Sequence, residues 1–468
     1  MGRRLGGGWG AAAVCAVVGA AGVFPGQAWG AGTPAPYGFA EGAETIDGAV
    51  SNVEGRRLSP GKVYRSALPR AGQRFYRLEL GAEESAYVAV TAVPAVGSKV
   101  SYADGVEVSV QDADGNNCSP LESQEARFGA SESPRPLTAT AARRVGPDEK
   151  SCVGAGTYYV LVERVGAPES SRESWDLELR VASEPALRTE GPTAPPRSWN
   201  SASPVAPVGE RKVREGGTSF NRARALGRGV WGDSIGPGET LFYRVPVDWG
   251  QRLSVGAELG SSRGAGGGGG GRGGRGYVSS ALVMAVANPV RAEVDDVDTA
   301  YDGKQKSAVL DPLPPVAYEN RFAPEDGVAA MRFAGWYYVS VHLSAEVAET
   351  FGGAPVDLTL RVDVDGAARP GPAYAGSSVP AGEFDVTERD AEAARRGETA
   401  VGGDDRAMAV LAVGGIGAGV VLLGVLAGWT LIARRRAAVE TAAPGGGQRG
   451  AGGVRPAVRA ASGPRGRP

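Results

Sequence analysis

The most constraining feature of this chain is an alternation of apolar and polar residues that recurs in short runs. In residues 76–80 tyrosine and leucine alternate with arginine and glutamate, and residues 106–110, 158–162 and 177–181 follow the same rule. Successive side chains of a β-strand point to opposite faces, so the pattern predicts antiparallel strands with one buried face. No long amphipathic helical pattern appears outside one apolar segment near the C-terminus. The chain is therefore predicted to be mainly β-sheet.

The motifs of the first half return in the second half in the same order. Ala155–Val160 returns as Ala334–Val339, and Asp176–Val181 returns as Asp357–Val362. The offset changes only from 179 to 181 residues between these motifs, as expected of one fold repeated with small loop insertions. The predicted fold class is an all-β ectodomain of two tandem antiparallel β-sandwiches, followed by one C-terminal transmembrane helix.

Two terminal segments predict where the sandwiches lie. Residues 1–30 combine two arginines, an apolar run and a small-x-small site, which is typical of a cleaved secretory signal. Ala407–Ala433 carries no charge and is long enough to cross the ~30 Å hydrocarbon core of a bilayer. Arg434, Arg435 and Arg436 follow it directly, as the positive-inside rule asks of a cytoplasmic flank. We expect a single-pass type I protein of the cell membrane, with an extracellular ectodomain and a cytoplasmic C-terminal tail.

The composition of the remaining segments predicts connectors between these parts. The expected order is a signal peptide (1–30), a first sandwich (40–183), a Pro/Ser-rich linker (184–217), a second sandwich (218–366) with a Gly-rich loop (261–276), a stalk (367–406), the membrane helix (407–433) and a disordered basic tail (434–468). The tail has eight arginines and one acid, so the rest of the chain is acidic, which argues against nucleic acid as a partner. The excess of arginine over lysine is typical of a GC-rich, actinobacterial-type genome.

Glycines in the membrane segment permit self-association. Gly415 with Gly419, and Gly424 with Gly428, have the small-residue spacing that lets two membrane helices approach closely. Glycine is also common in membrane helices generally, so a homodimer and a lone helix both remain open.

Cysteine usage predicts one disulfide. Cys15 lies in the predicted signal, which leaves Cys118 and Cys152 in the exported protein. Two cysteines in an exported chain are expected to pair. The second sandwich has no cysteine, so we expect loss of the bridge to weaken the first sandwich and leave the second folded.

The pattern in residues 61–181 resembles the bacterial pre-peptidase C-terminal domain. The most specific element is the strand Ala155–Val160, and the second half matches it at Ala334–Val341 and Leu358–Val362. The resemblance implies a small jelly-roll-like sandwich that accompanies secreted proteases and surface proteins without being catalytic itself. No catalytic companion is left over in this chain, because both large units are assigned to the accessory type.

One serine and one histidine form the only candidate hydrolase pair. Gly232–Ile235 imitates the nucleophile block of one esterase class, and a serine nucleophile needs a histidine base close by. His342, the only histidine, lies in a predicted strand whose alternation places it on the outward face, whereas Ser234 begins the unit. An ordinary turn at the strand end explains Ser234 better, so no catalytic residue and no cofactor are predicted.

Two acidic segments are weak calcium candidates. Asp112, Asp114 and Asn116 resemble the first half of a calcium loop, but no bidentate acid stands at the twelfth position. A hairpin turn that uses Asp and Gly explains the segment at lower cost. Residues 293–298 are also acidic, and a solvated loop is the favoured interpretation. A structural calcium ion remains open.

These features together predict a protein that binds and does not catalyse. The expected function is a cell-surface binding or scaffold protein that recognises an unidentified extracellular protein or the cell wall. The alternative is an accessory subunit of a membrane-bound secretion or proteolytic complex.

Overall fold

The structure is a computed structural model that describes most of the predicted ectodomain. The described residues are 34–399, apart from 71, 120–124, 147–148, 167–169, 190, 197 and 263–275. The predicted signal peptide, the membrane segment with Arg434, Arg435 and Arg436, the tail and most of the Gly-rich loop lie outside them. Within this part of the chain no helix has both the length and the apolar character needed to cross a bilayer.

Strands are the main regular structure of the described chain and its helices are few and short, which confirms the all-β prediction. The strands of the first sandwich are β1 (Glu44–Thr45), β2 (Arg56–Arg57), β3 (Val63–Leu68), β4 (Gln73–Leu80), β5 (Glu84–Val93), β6 (Gly105–Gln111), β7 (Glu125–Arg127), β8 (Leu137–Arg143), β9 (Gly156–Val165) and β10 (Trp175–Pro185). Sheet 1a has the strand order β1-β3-β10-β5-β8, and sheet 1b the order β2-β4-β9-β6-β7. The alternating apolar residues of both sheets pack between them as one core.

The second sandwich is built from ten further strands and carries short helices in its loops. Its strands are β11 (Arg211–Val213), β12 (Arg224–Ala225), β13 (Gly229–Ile235), β14 (Thr240–Val247), β15 (Arg252–Leu259), β16 (Val278–Ala287), β17 (Glu293–Tyr301), β18 (Lys306–Val309), β19 (Gly335–Leu343) and β20 (Val356–Asp365). The helices are α1 (Asp326–Ala330), α2 (Glu346–Phe351) and, after the last strand, α3 (Glu388–Arg396).

The two sandwiches have the same strand order. Sheet 2a runs β11-β13-β20-β15-β18 and sheet 2b runs β12-β14-β19-β16-β17, which is the order of sheets 1a and 1b moved on by ten strands. In each sheet the first short strand pairs in parallel with its neighbour, and the other strand pairs are antiparallel. Motifs that recur in the sequence therefore occupy equivalent strands: Ala155–Val160 leads into β9, and Ala334–Val339 into β19.

The predicted disulfide is confirmed. Cys118 and Cys152 are bonded across a sequence separation of 34 residues, with their Cα atoms 5.6 Å apart. The bridge joins the segment after β6 to the segment before β9, two neighbouring strands of sheet 1b. The second sandwich has no cysteine, so the bridge has no counterpart there.

The segments predicted as linker and stalk differ from the extended connectors expected there. Residues 184–185 continue β10, and β11 already begins at Arg211. Residues 367–399 do not project away: Val379 bridges to Ser183 of β10, Tyr374 bridges to Leu187, and Thr399 bridges to Arg224. The apolar side chain of Phe384 is buried in this packing. Composition predicted solvation here because it cannot show that a few aromatic residues have a surface to bury against.

Candidate functional site at the interface between the sandwiches

The two sandwiches pack face to face through sheets 1a and 2b. They belong to one compact unit of the chain. Tyr87 and Ala182, on the outward face of sheet 1a, pack with Val290 and Phe333, which flank strands of sheet 2b. Phe242 of β14 lies in a second apolar cluster of this interface, which also includes Tyr37, Phe220 and Ala223. The described part of the chain is therefore a stack of four sheets in the order 1b, 1a, 2b, 2a.

A buried ion pair joins the sandwiches at the centre of this interface. Glu178 of β10 lies 2.7 Å from Arg291, and their side chains are 0% and 3% exposed. The carboxylate also accepts hydrogen bonds from the Tyr37 hydroxyl at 3.1 Å and from the Asn221 amide at 2.7 and 2.8 Å. Arg291 donates in turn to the Asn221 carbonyl oxygen. A buried charge is tolerated only with such partners, so this network holds the two faces in one register.

A second buried pair ties the C-terminal segment to both sandwiches. Glu184 of β10 lies 2.7 Å from Arg321, and it accepts hydrogen bonds from the hydroxyls of Tyr87 and Tyr374. These charge-assisted bonds outweigh the cost of burial and keep the pKa of Glu184 below its usual value. Phe384 stacks on Phe333 at 4.4 Å between ring centroids. Residues 367–399 thus complete the interface.

His342 faces the other sandwich, which corrects the expectation of a free outward face. It points away from the core of the second sandwich, as alternation predicts, yet it is only 2% exposed because the first sandwich covers it. Its two ring nitrogens lie 2.9 Å from the hydroxyls of Thr240 and Ser133. Burial, with a smaller contribution from Arg135, lowers the pKa of His342 to about 3. The imidazole is neutral and links the two sandwiches by hydrogen bonds.

The structure does not bring Ser234 and His342 together. Ser234 lies in β13 of the outer sheet 2a, where it pairs with Asp357, whereas His342 lies in β19 of sheet 2b. The neighbouring Asp233 accepts hydrogen bonds from the Tyr243 hydroxyl at 2.6 Å and the Gly216 amide at 2.7 Å. Asp233 therefore ties β13 to β14 and to the segment that follows β11, and it does not orient a histidine.

The predicted calcium loop forms a tight turn. One carboxylate oxygen of Asp112 accepts from the backbone amides of Asp114 and Asn116, and the other accepts from the Asn116 side chain. Gly115 has φ +83°, a conformation that glycine adopts without strain. These donors use the oxygens of Asp112 inside the turn. Among the described residues no group of three or more acidic, histidine or cysteine side chains is placed to hold a metal ion.

Two cavities lie along the seam between the sandwiches. One of about 200 Å³ is lined by Arg135, Thr138 and Thr140 of the first sandwich and by Glu293 and Asp296 of β17. One of about 550 Å³ continues from it, since Thr140 and Glu293 line both. The acidic segment 293–298 belongs to β17, which pairs with β16 at the edge of sheet 2b. The solvated loop expected from the sequence is therefore wrong.

Glu293 lies between these cavities with an exposed side chain. Desolvation by the surrounding protein, together with the negative charge of Asp296, raises the pKa of Glu293 to about 7, and Arg135 acts in the opposite direction. Its carboxylate is thus partly protonated near neutral pH, as expected for an acid in an acidic cleft.

Sequence reasoning missed the residues that build this interface. The signal was present in β5, where Tyr87, Ala89, Thr91 and Val93 occupy the face opposite the core and none of them is charged. A strand with small and apolar residues on both faces is typical of a sheet covered on both sides. Glu178 and Glu184 of β10 made the outward face of sheet 1a look solvent-exposed in the sequence, because carboxylates on an outward face are usually solvated.

Comparison with known proteins identifies no family. No protein-family model and no curated protein matches the chain. Among solved structures it is similar to tripeptidyl peptidase 2, at 8% identity and TM-score 0.18, over 66% of this chain and 24% of that chain. It is also similar to the CUB1-EGF-CUB2 domain of human MASP-1/3 (6%, TM-score 0.16, covering 64% and 99%). A third similarity is to the CBM22-1-CBM22-2 tandem of Paenibacillus barcinonensis Xyn10C (11%, TM-score 0.17, covering 64% and 85%).

This chain therefore spans about a quarter of the tripeptidyl peptidase 2 chain. At these TM-scores the similarities carry no argument about its fold or activity.

Proposed function

We propose that this chain is a non-catalytic binding or scaffold protein of the cell surface. In this proposal the paired sandwiches are one rigid platform, a signal peptide exports them, and the segment 407–433 anchors them as a single-pass type I protein. The sandwiches are proposed to be of the pre-peptidase C-terminal type. The unidentified partner is an extracellular protein or the cell wall.

The observation that carries the proposal is the buried network around Glu178 and Arg291. It fixes the two sandwiches in one orientation, so that the cavities along their seam are shaped by both. Clefts between packed domains are where ligand sites preferentially occur. A rigid composite surface binds with little loss of conformational entropy, which favours recognition.

The positions of the candidate hydrolase residues also support binding over catalysis. Ser234 and His342 lie on different sheets, and both ring nitrogens of His342 are engaged with hydroxyls at the interface. An imidazole with a pKa of about 3 is a weak proton acceptor at neutral pH. The functional surface is therefore sought at the seam.

The test is capture of a partner by the full chain purified from membranes in mild detergent. A stoichiometric protein or wall fragment should co-purify, and Ser234→Ala should retain it because Ser234 lies on the remote sheet 2a. Recovery of a membrane-bound secretion or proteolytic complex would instead support the accessory-subunit alternative. Hydrolytic activity that Ser234→Ala abolishes while the protein stays folded would show that the proposal is wrong.

Protease treatment of intact cells tests the proposed topology independently. Added protease should reach residues 31–399 and spare the tail 434–468. A protected ectodomain would contradict cell-surface exposure whatever partner is found.

A further inference from the structure

The linker between the two sandwiches is exposed over most of its length. The described residues of 189–210 contain no strand and no helix, and none of them makes a backbone–backbone hydrogen bond. Two arginines of sheet 2a hold the linker at single points. Arg252 donates to the carbonyl oxygen of Asn200 at 2.8 Å, and Arg361 donates to that of Pro207 at 2.9 Å. The linker is therefore an extended strip on the surface that another molecule can reach.

Hydroxyl side chains and prolines are interspersed along this strip. The exposed hydroxyl residues in its middle are Thr193, Ser198, Ser201 and Ser203. Within the described part of the chain their hydroxyls make no hydrogen bond. Proline fixes φ and favours an extended backbone, and the linker has five of them, at positions 192, 195, 196, 204 and 207. A segment rich in Ser, Thr and Pro is typical of an O-glycosylated stalk.

A second segment of similar composition is held by the fold instead. Ser377 is exposed and lies in the Pro- and Gly-rich stretch after β20. On one side of it Ala375 donates its N–H to the carbonyl of Ala186 at 2.8 Å, and on the other Val379 exchanges backbone hydrogen bonds with Ser183 at 2.7 and 3.1 Å. An enzyme that takes an extended segment into its cleft would have to break these bonds first. The structure thus separates two segments that composition makes alike.

The proposed compartment determines which group these hydroxyls can accept. Phosphorylation needs a nucleoside triphosphate, which belongs to the cytoplasm. A sugar can instead be supplied by the membrane itself, as a glycosyl group carried on a polyprenyl phosphate. Such a lipid-borne donor is available to a chain that is being exported. Glycosylation is therefore the modification that fits both the exposed hydroxyls and the proposed location.

We propose that the linker accepts O-linked hexose at Thr193, Ser198, Ser201 and Ser203. The hydroxyl oxygen attacks the anomeric carbon of a hexose on a polyprenyl phosphate carrier. The bond from that carbon to the phosphate oxygen breaks, and the polyprenyl phosphate leaves with the bonding electrons while the hydroxyl proton passes to a base of the transferase. This inference rests on the proposed function, because the chain meets the donor only on export.

The attached sugars would also cover a vulnerable part of the chain. Exposed segments without backbone hydrogen bonds are preferred sites of proteolysis. Val205 and Val208 follow the serines and are 85% and 89% exposed. A bulky, solubilising group beside them would keep a protease from drawing the extended backbone into its active site. The sugar is therefore expected to protect the linker as well as to decorate it.

Mass spectrometry of the full chain, purified from the membranes of its own cells, tests the modification. The intact mass should exceed the sequence mass of the mature chain by whole hexose units, and peptides of the linker should carry them. A chain that has lost residues 1–30 but has no hexose in the linker would overturn this inference and leave the proposed function standing. An unmodified chain that keeps residues 1–30 would overturn both. Phosphate at the same hydroxyls would overturn a sugar as the attached group.

Substitution by alanine tests the position of the sugar. A variant that combines Thr193→Ala, Ser198→Ala, Ser201→Ala and Ser203→Ala should lose the whole hexose increment of the linker. Its folding should be unaffected, because these side chains are exposed and make no hydrogen bond. Ser377→Ala is the matched control and should leave the increment unchanged. Hexose on Ser377 at the same occupancy as on Ser201 would overturn the selection of the linker by the fold.

Protease resistance provides a second measurement of the same sugars. Proteinase K should cut the linker of the quadruple alanine variant several times faster than that of the unmodified chain. The Ser377→Ala control should be cut at the rate of the unmodified chain. Equal rates for the quadruple variant and the unmodified chain would overturn the protective role of the sugar.

Discussion

The two sandwiches have the same strand order but use opposite sheets to contact each other. The first uses sheet 1a, whose strand β5 presents Tyr87, Ala89 and Thr91 outward. The equivalent strand β15 of the second sandwich presents Ser254, Gly256 and Glu258, and its sheet 2a forms the far side of the molecule. The second sandwich uses sheet 2b instead. The core-facing residues of the two sandwiches are alike, and they determine the shared fold. The outward-facing residues differ, and they determine which sheets pack against each other.

This head-to-tail packing leaves polar faces at both ends of the stack. Sheet 1b ends it with residues such as Arg77 and Glu79, which pair at 3.3 Å and stay partly exposed. Sheet 2a ends it with Arg361 and Glu258, which pair at 2.6 Å. A head-to-tail interface can repeat indefinitely unless its end faces are unsuited to further contacts. The two ends of the stack therefore carry charged pairs at their surface, whereas the interface between the sandwiches contains apolar clusters.

Breaking the buried Glu178–Arg291 pair should have the largest effect on the stability of the packed sandwiches. Glu178→Ala leaves Arg291 buried without its counter-charge and should lower the free energy of unfolding by about 3–5 kcal/mol. Asp176→Ala, two residues earlier on β10, removes a half-exposed pair with Arg65 and should cost at most about 1 kcal/mol. Urea unfolding of the full chain measures both. Equal effects would show that the interface does not hold the sandwiches together.

Removing the disulfide tests whether the sandwiches unfold together. Replacing Cys118 and Cys152 with serine should lower the free energy of unfolding by about 2–4 kcal/mol, because the unfolded chain gains freedom. The sequence alone predicts that the second sandwich stays folded. The buried interface predicts instead that one cooperative transition shifts as a whole, seen by calorimetry. Two separated transitions would favour independent sandwiches.

Acid should weaken the interface through His342. Its pKa is about 3 in the folded protein against an ordinary 6.5, so at pH 5 the unfolded chain binds a proton that the folded chain does not. The stabilising contribution is present above pH 6.5 and is lost as the pH falls, by about 2 kcal/mol between pH 7 and pH 5. In the His342→Gln variant the free energy of unfolding should therefore fall less between pH 7 and pH 5 than in the unmodified protein. An equal fall in the two proteins would contradict the burial of His342.

Glu293 should change the free energy of unfolding with pH in the opposite direction to His342, and by a smaller amount. Its pKa is about 7 in the folded protein against an ordinary 4.5, so the folded chain holds the extra proton between these values. Its stabilising contribution is therefore lost as the pH rises from 4.5 to 7. We expect a change under about 1 kcal/mol, because water screens the exposed side chain. In matched urea titrations the free energy of unfolding of Glu293→Gln should therefore depend less on pH in this range. A stronger pH dependence in the variant would contradict the raised pKa of Glu293.

Alternation and the cysteine count were sufficient to predict several features. Tyr337, Val339 and Val341 point into a core because a strand has a period of two, and the same rule holds in strands such as β4 and β20. The pairing of Cys118 with Cys152 could be predicted because Cys15 is the only other cysteine of the chain. These are local properties of the chain, and neighbouring residues decide them.

The environment of an outward face could not be predicted in the same way. His342, Glu178 and Glu184 all point away from their own core, and sequence rules assign such positions to solvent. They are buried because a second sandwich and residues 367–399 cover them. The cavities along the seam could not be predicted for the same reason, since residues of both sandwiches line them.

The sequence by itself determined the all-β fold, the recurrence of its motifs and the disulfide, because strand alternation and local pairing depend on residues within one sheet or one loop. Only the tertiary structure decided which sheets meet, how the Glu178–Arg291 and Glu184–Arg321 pairs are buried, and where the cavities along the seam lie. The physical reason is that alternation states which side of a strand faces its own core and leaves undetermined what covers the other side. That depends on contacts between residues more than a hundred positions apart, such as Glu178 and Arg291.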